Sequence, residues 1–86
     1  MDFAELLERF KLYCLATGGS VSSWMRSPER NKEKGGIPAS RHLWGGAIDV
    51  IYAPNPQPTI ETAQAIAKKL GLYCHRESDH DHIREL

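Results

Sequence analysis

Two short segments of this 86-residue chain hold three of its four histidines and a dense set of acids. The first is Ser40-Arg41-His42-Leu43-Trp44-Gly45-Gly46-Ala47-Ile48-Asp49, and the second is Glu77-Ser78-Asp79-His80-Asp81-His82. Imidazole and carboxylate are the nitrogen and oxygen donors that zinc takes. A zinc centre that works on a substrate keeps three such ligands and leaves a fourth position for water. His42 and Asp49 offer two donors, and Gly45-Gly46 between them allows a tight turn and a close approach of the backbone. His80 and His82 stand two apart, so a strand there directs both to one face and sends Asp81 and Ile83 to the other. One of the pair can then bind a metal while the other faces a substrate. Each residue alone has an ordinary explanation, a packed histidine beside Trp44 or a solvated acidic run near the C-terminus. Their spacing is what argues for a site.

The elements that must position these residues are legible from pattern and punctuation. Asp2 with Glu5 forms a capping-box pattern, and Phe3, Leu6, Leu7, Phe10 and Cys14 recur at helical spacing until Gly18-Gly19 ends the run. Val21 to Met25 favours a short strand. Arg26 to Ser40 has no periodic apolar face and reads as a loop of about fifteen residues, a length usually reserved for function or disorder. Ala47 to Tyr52 reads as a central strand, closed by the Pro-Asn-Pro-Gln-Pro turn of residues 54–58. Thr59 is placed to cap a second helix with the stripe Ile60, Ala63, Ile66, Ala67 and Leu70, ended by Gly71. Leu72 to Arg76 and His80 to Arg84 read as two strands joined by Glu77-Ser78-Asp79. The order predicts an α+β domain with a small antiparallel sheet packed on two helices.

Composition narrows the partners. Residues 1–86 are expected to form one domain, since a chain this short buries one modest core. Eleven basic against eleven acidic residues give no net charge, which predicts neither nucleic acid nor an anionic membrane surface as partner. No apolar run approaches the roughly 18 residues of a membrane span, and Asp2 and Glu5 stand where a signal peptide would be basic. The expectation is a monomer synthesised in the cytoplasm, with Cys14 and Cys74 as reduced thiols.

The first segment matches the pattern Ser-x-His-x-x-Gly-x-Ala-x-Asp at Ser40, His42, Gly45, Ala47 and Asp49. Five fixed residue types coincide by chance with a probability on the order of one in a million per start position. This resembles the signature of the D-alanyl-D-alanine zinc carboxypeptidases and L-alanyl-D-glutamate endopeptidases, a family whose fold is shared with the hedgehog signalling domain. Val21 to Pro28, Asn31 and Gly35-Gly36 are similar to the family's upstream stretch, and His80-Asp81-His82 to its closing motif, so the likeness spans about residues 20–84 and leaves the first helix outside. The resemblance implies zinc held by His42, Asp49 and His82. It implies a carboxylate base shortly before the last ligand: Asp79, three residues ahead of His82, or Glu77 if His80 is the ligand. It also implies oxyanion or substrate-carboxylate binding by His80 and Arg26, with Ser40 in support and Asn31 and Trp44 as scaffold.

The expected reaction is hydrolysis of an amide in a small peptide, a peptidoglycan stem peptide above all, by a carboxypeptidase or an endopeptidase. The small size, with the expectation of no signal peptide and no wall-binding module, resembles phage lysis enzymes, which are made in the cytoplasm and released later to act on the cell wall. The alternative is a non-catalytic zinc-containing binding module of the same fold. A purely structural zinc domain would close with four Cys or His ligands, and the two cysteines here are far apart.

Overall fold

The computed structural model of the chain describes residues 1–24 and 46–86. His42, Arg26, Ser40, Asn31, Trp44 and the expected loop of residues 26–40 lie outside the described residues. Helix α1 spans Phe3–Thr17 and begins where Asp2 accepts a hydrogen bond from the Glu5 N–H at 2.8 Å, which satisfies one of the donors a helix start leaves over. It ends at Gly18, whose φ of 75° is left-handed and whose N–H donates to the Cys14 carbonyl at 2.9 Å. The next residue must also be glycine, because a Cβ at Gly19 would stand 2.4 Å from Val50 Cγ1.

Strand β1 follows at Ser20–Ser23, and β2 at Ala47–Ile51. Helix α2, Ile60–Lys69, is capped by Thr59, which accepts from the Thr62 N–H, and carries Glu61 in its first turn and Lys68 and Lys69 in its last, both signs matching the helix dipole. Strands β3, Leu72–Arg76, and β4, Asp81–Glu85, close the chain as a hairpin. The strand expected from His80 starts one residue later, because the His80 carbonyl accepts the Glu77 N–H at 2.9 Å and so belongs to the turn.

All strand pairings among the described residues are antiparallel, in the order β1-β2-β4-β3. Strand β4 is therefore inserted between β2 and its own hairpin partner β3. Register sets Ile48 opposite Ile83, and Cys74 opposite Ile83, on the face that α1 and α2 cover. Period-two alternation then sends Asp49, His82 and His75 to the opposite face. This is the α+β architecture expected from the element order.

The core joins Leu6, Phe10 and Tyr13 of α1 to Ala63 and Ala67 of α2 and to Ile48, Val50, Leu72, Cys74 and Ile83 of the sheet. Two alanines one turn apart let α2 approach β3 closely. One position of the stripe departs from the periodicity. Phe3 is half-exposed and stacks on Trp24 with ring centroids 6.5 Å apart, whereas Tyr13 is fully buried. The face that meets the sheet is the 6, 10, 13 face, which Phe3 at the helix start does not reach.

Tyr13 is buried because it has a polar partner. Its hydroxyl meets that of Tyr52 at 2.7 Å, and Tyr52 donates to Asp81 Oδ2 at 2.6 Å. Asp81, with no exposed surface, is also gripped by Arg76 through Nε and Nη2, each at 2.8 Å. Burial alone would raise the Asp81 pKa, but the bonds from Arg76 and Tyr52 outweigh it and hold the carboxyl below its usual range. A group held low in this way stabilises the fold above its unfolded pKa, ~3.9, and that contribution is lost as pH falls through the folded value. Burial pushes the Cys74 thiol up to about 11, so it is an inert apolar group at neutral pH.

Removing one partner of such a pair strands a buried charge. Arg76→Ala, which leaves the buried Asp81 carboxylate unmatched, is expected to cost about 3–5 kcal/mol, and Tyr52→Phe about 1.5–3 kcal/mol, read as lowered urea midpoints at constant m. A Tyr52→Phe midpoint equal to that of the parent would remove the tyrosine from this account.

Candidate active site

Asp49 and His82 are direct cross-strand partners between β2 and β4. Side chains opposite one another on the same face of an antiparallel pair are close enough to interact, and Asp49 Oδ1 lies 3.1 Å from His82 Nδ1. Both are mostly covered, at 18% and 24% exposure. His80 reaches the same oxygen from the end of the β3–β4 turn, with Nε2 at 3.7 Å from Asp49 Oδ1. The expected pairing of His80 and His82 on one face, opposite to Asp81 and Ile83, is what the structure has.

The two candidate carboxylates hold His80 from its two nitrogens. Asp79 Oδ1 is 2.6 Å from Nδ1, and Glu77 Oε2 is 3.9 Å from Nε2, the nitrogen that faces Asp49. The hydrogen bond to Asp79 raises the His80 pKa against the opposing effect of burial, and the charges of Asp49, Asp79 and Glu77 add to the rise. His80 is thus biased towards its cationic, doubly donating form.

Among the described residues no group of three or more His, Cys, Asp or Glu converges so as to hold a metal ion by itself. Asp49 and His82 nevertheless fit as part of a zinc set. They are oxygen and nitrogen donors, and two donors about 2.0–2.1 Å from one tetrahedral ion stand roughly 3.3–3.4 Å apart. The observed 3.1 Å is near that spacing, and it is also the length of a hydrogen bond, so a proton or a cation can occupy the same place between them. The further candidates His42 and Arg26 lie outside the described residues.

Sequence reasoning did not find four residues that bear on this site. Asp81, expected only to face away from His82, is an anchor of the core. Arg76 and Tyr52 are its partners, and the signal available was that Asp81 must share a face with Ile83 and so be buried and paired. His75, opposite His82 on β3, adds a further imidazole to the row Ser23, Asp49, His82, His75 across the sheet. Only the strand register reveals that adjacency.

Asp49 and His82 thus pair a carboxylate with an imidazole on the sheet face away from the helices, beside a turn rich in acid and histidine. A comparison with protein-family models matches residues 8–84 to Peptidase M15. The chain belongs to the Peptidase M15 family, whose members are generally zinc-dependent metallopeptidases. The match takes in most of α1, which lay outside the motifs, as well as both histidine segments. No curated protein and no solved structure matches the chain.

The cause of the His80 shift is directly testable by NMR titration of its imidazole in metal-free protein. Asp79→Asn is expected to lower the His80 pKa, since it removes the largest favourable contribution. An unchanged titration would mean that Asp79 does not hold this ring in solution.

Proposed function

We propose that the chain is a zinc-dependent amide hydrolase acting on a small peptide, with a peptidoglycan stem peptide as the substrate class. The observation that carries this reading is the in-register Asp49–His82 pair with His80 at its side, in a chain of the M15 family. His42, Asp49 and His82 would hold the ion. Bound there, zinc supplies a Lewis acid that polarises the scissile carbonyl and acidifies water towards a pKa of ~7.

The remaining work belongs to the chain's own groups. Asp79, three residues before His82, takes a proton from the attacking water and returns it to the leaving amine. His80 donates from Nε2 to the oxygen that gains charge, and its cationic form is favoured by Asp79 at Nδ1. Arg26 would hold a substrate carboxylate or add a second donor. A second assignment of the base has its own observation: Glu77 lies on the Nε2 side of His80, the side that faces Asp49. In that reading Glu77 is the base and His80 the third ligand. A non-catalytic module of the same fold would bind zinc equally well and release no fragments.

Three measurements separate these readings. Purified peptidoglycan and synthetic stem peptides, incubated with the protein and analysed by mass spectrometry, should yield new amine and carboxyl ends, and none after chelation. Zinc bound without any cleavage would favour the non-catalytic module. Elemental analysis should find one zinc per chain, lost in His42→Ala; full retention in that variant would remove His42 from the ligand set. Asp79→Asn should keep zinc and lose about 10²–10⁴ in rate, with Glu77→Gln little affected, and the reverse pattern would move the base to Glu77 and the ligand to His80.

The metal should also support the fold, because ligands from separate segments tie a small core together. Zinc at about 100 times its Kd adds about 2.7 kcal/mol, so chelation is expected to lower the melting temperature by about 10 °C or more. An unchanged melting temperature would confine the ion to catalysis.

A further inference from the structure

Of the four histidines, His75 is the one to which the zinc reading gives no part. It stands directly opposite His82 on β3, and strand alternation puts both rings on the sheet face away from the helices. The directions of the backbone hydrogen bonds set how far apart such partners stand. The Ser22 hydroxyl donates to the Asp49 carbonyl, so the backbone of Asp49 points towards β1 and away from β4. Asp49 and His82 are therefore a rung without backbone bonds, the narrow kind with Cα atoms about 4.5 Å apart, and their side chains meet at 3.1 Å. On the other flank Gln64 Nε2 donates to the Cys74 carbonyl at 3.3 Å, which turns that carbonyl to the outer edge of β3 and those of its neighbours towards β4. The Gly71 carbonyl, in phase with His75, accepts the Leu86 N–H just beyond β4. His75 and His82 thus form the wide kind of rung, with Cα atoms about 5.5 Å apart.

Side chains on this face do reach one another across the wide rungs. One rung further along, Tyr73 faces Arg84, and the guanidinium lies 4.6 Å from the ring centroid. The mount of His75 is also firm, because Cys74 before it is packed in the core and Arg76 after it is bonded twice to Asp81. His82 turns Nδ1 to Asp49 on the β2 side, which leaves Nε2 on the side of the ring towards β3.

We infer that His75 is a positioning residue for His82: when a metal ion takes the place of the proton between Asp49 and His82, the imidazole of His75 accepts the Nε2–H of His82, directly or through one water, and holds that ring in register with the ion. This rests on the reading above in which His82 is a zinc ligand. An imidazole that binds metal through one nitrogen carries its proton on the other, and the acceptor of that proton fixes the tautomer and the orientation of the ring. Neutral imidazole has one nitrogen free to accept, and the exposure of His75 leaves room for a bridging water.

The test measures zinc affinity, by competition with a chelator, in the wild type and three variants. His75→Ala removes the acceptor and should weaken zinc binding about 10- to 100-fold. His75→Phe keeps a ring without an acceptor and should lose as much, whereas His75→Gln, whose amide oxygen accepts, should keep most of the affinity. In the zinc-loaded protein the His82 Nε2 proton should give a resolved NMR signal in the wild type and in His75→Gln, and should be lost to solvent exchange in His75→Ala and His75→Phe. His75 is exposed, so the metal-free variants should melt with the parent, which separates the effect from unfolding. Unchanged zinc affinity in His75→Ala, or affinity restored by phenylalanine and not by glutamine, would overturn the positioning role and leave the zinc reading intact. A wild type that binds no zinc, or full zinc retention in His82→Ala, would overturn the ligand set and the positioning role with it.

Discussion

The burial of Asp81 is the constraint on which the rest of the site depends. A carboxylate with no exposed surface is tolerated only when its charge is matched and its oxygens are bonded, and Arg76 and Tyr52 do both. With Asp81 fixed on the helix-covered face, the period of a strand leaves its neighbours no choice. His82 must point to the other face, and there the β2–β4 register sets it opposite Asp49. A slip of one residue would bury His82 and turn Asp81 away from its partners. The charge pair in the core and the donor pair on the opposite face are thus alternate rungs of the same ladder.

The same contact shapes the turn. Arg76 and Asp81 are the last paired residues of the β3–β4 hairpin, so their bidentate bond closes the base of the loop that carries Glu77, Asp79 and His80. A four-residue turn stapled at its foot restricts where its side chains can reach. Tyr52 extends the hold to the end of β2, and Asn55 ties the next connection to the end of α1 at Gly18. Hydrogen bonds from three elements therefore converge on the region beside His80, which is how a small core can keep a polar site in shape.

Much of the scaffold was legible in the sequence, because it is governed by local rules. The Asp2 and Thr59 caps, the glycine that ends α1, the central strand at residues 47–51 and the two C-terminal strands all follow from capping chemistry, apolar periodicity and turn residues. The facing of His80 and His82 was legible for the same reason. What escaped depends on contacts between segments distant in the chain. Tyr13 has the spacing of a core residue, but its partner Tyr52 is 39 residues away. The insertion of β4 between β2 and β3 is a choice of topology that no local pattern encodes, and with it goes the adjacency of His75 to His82. Phe3 shows the converse, an apolar residue in helical register that the end of the helix leaves half-exposed.

Charge explains why such a cluster sits on the sheet face away from the core. Asp49, Glu77 and Asp79 all approach His80, and Asp49 also meets His82, so three carboxylates share two imidazoles. If both rings are neutral, the carboxylates repel one another across distances of a few ångströms; a proton on His80 offsets part of this, which is the sense of its raised pKa. On the helix-covered face this imbalance would be severe, since burial magnifies unpaired charge, and there a single carboxylate is found among the described residues, matched by arginine. On the other face, beside the turn, Glu77 and Asp79 stay exposed to water, which screens their charge at little cost.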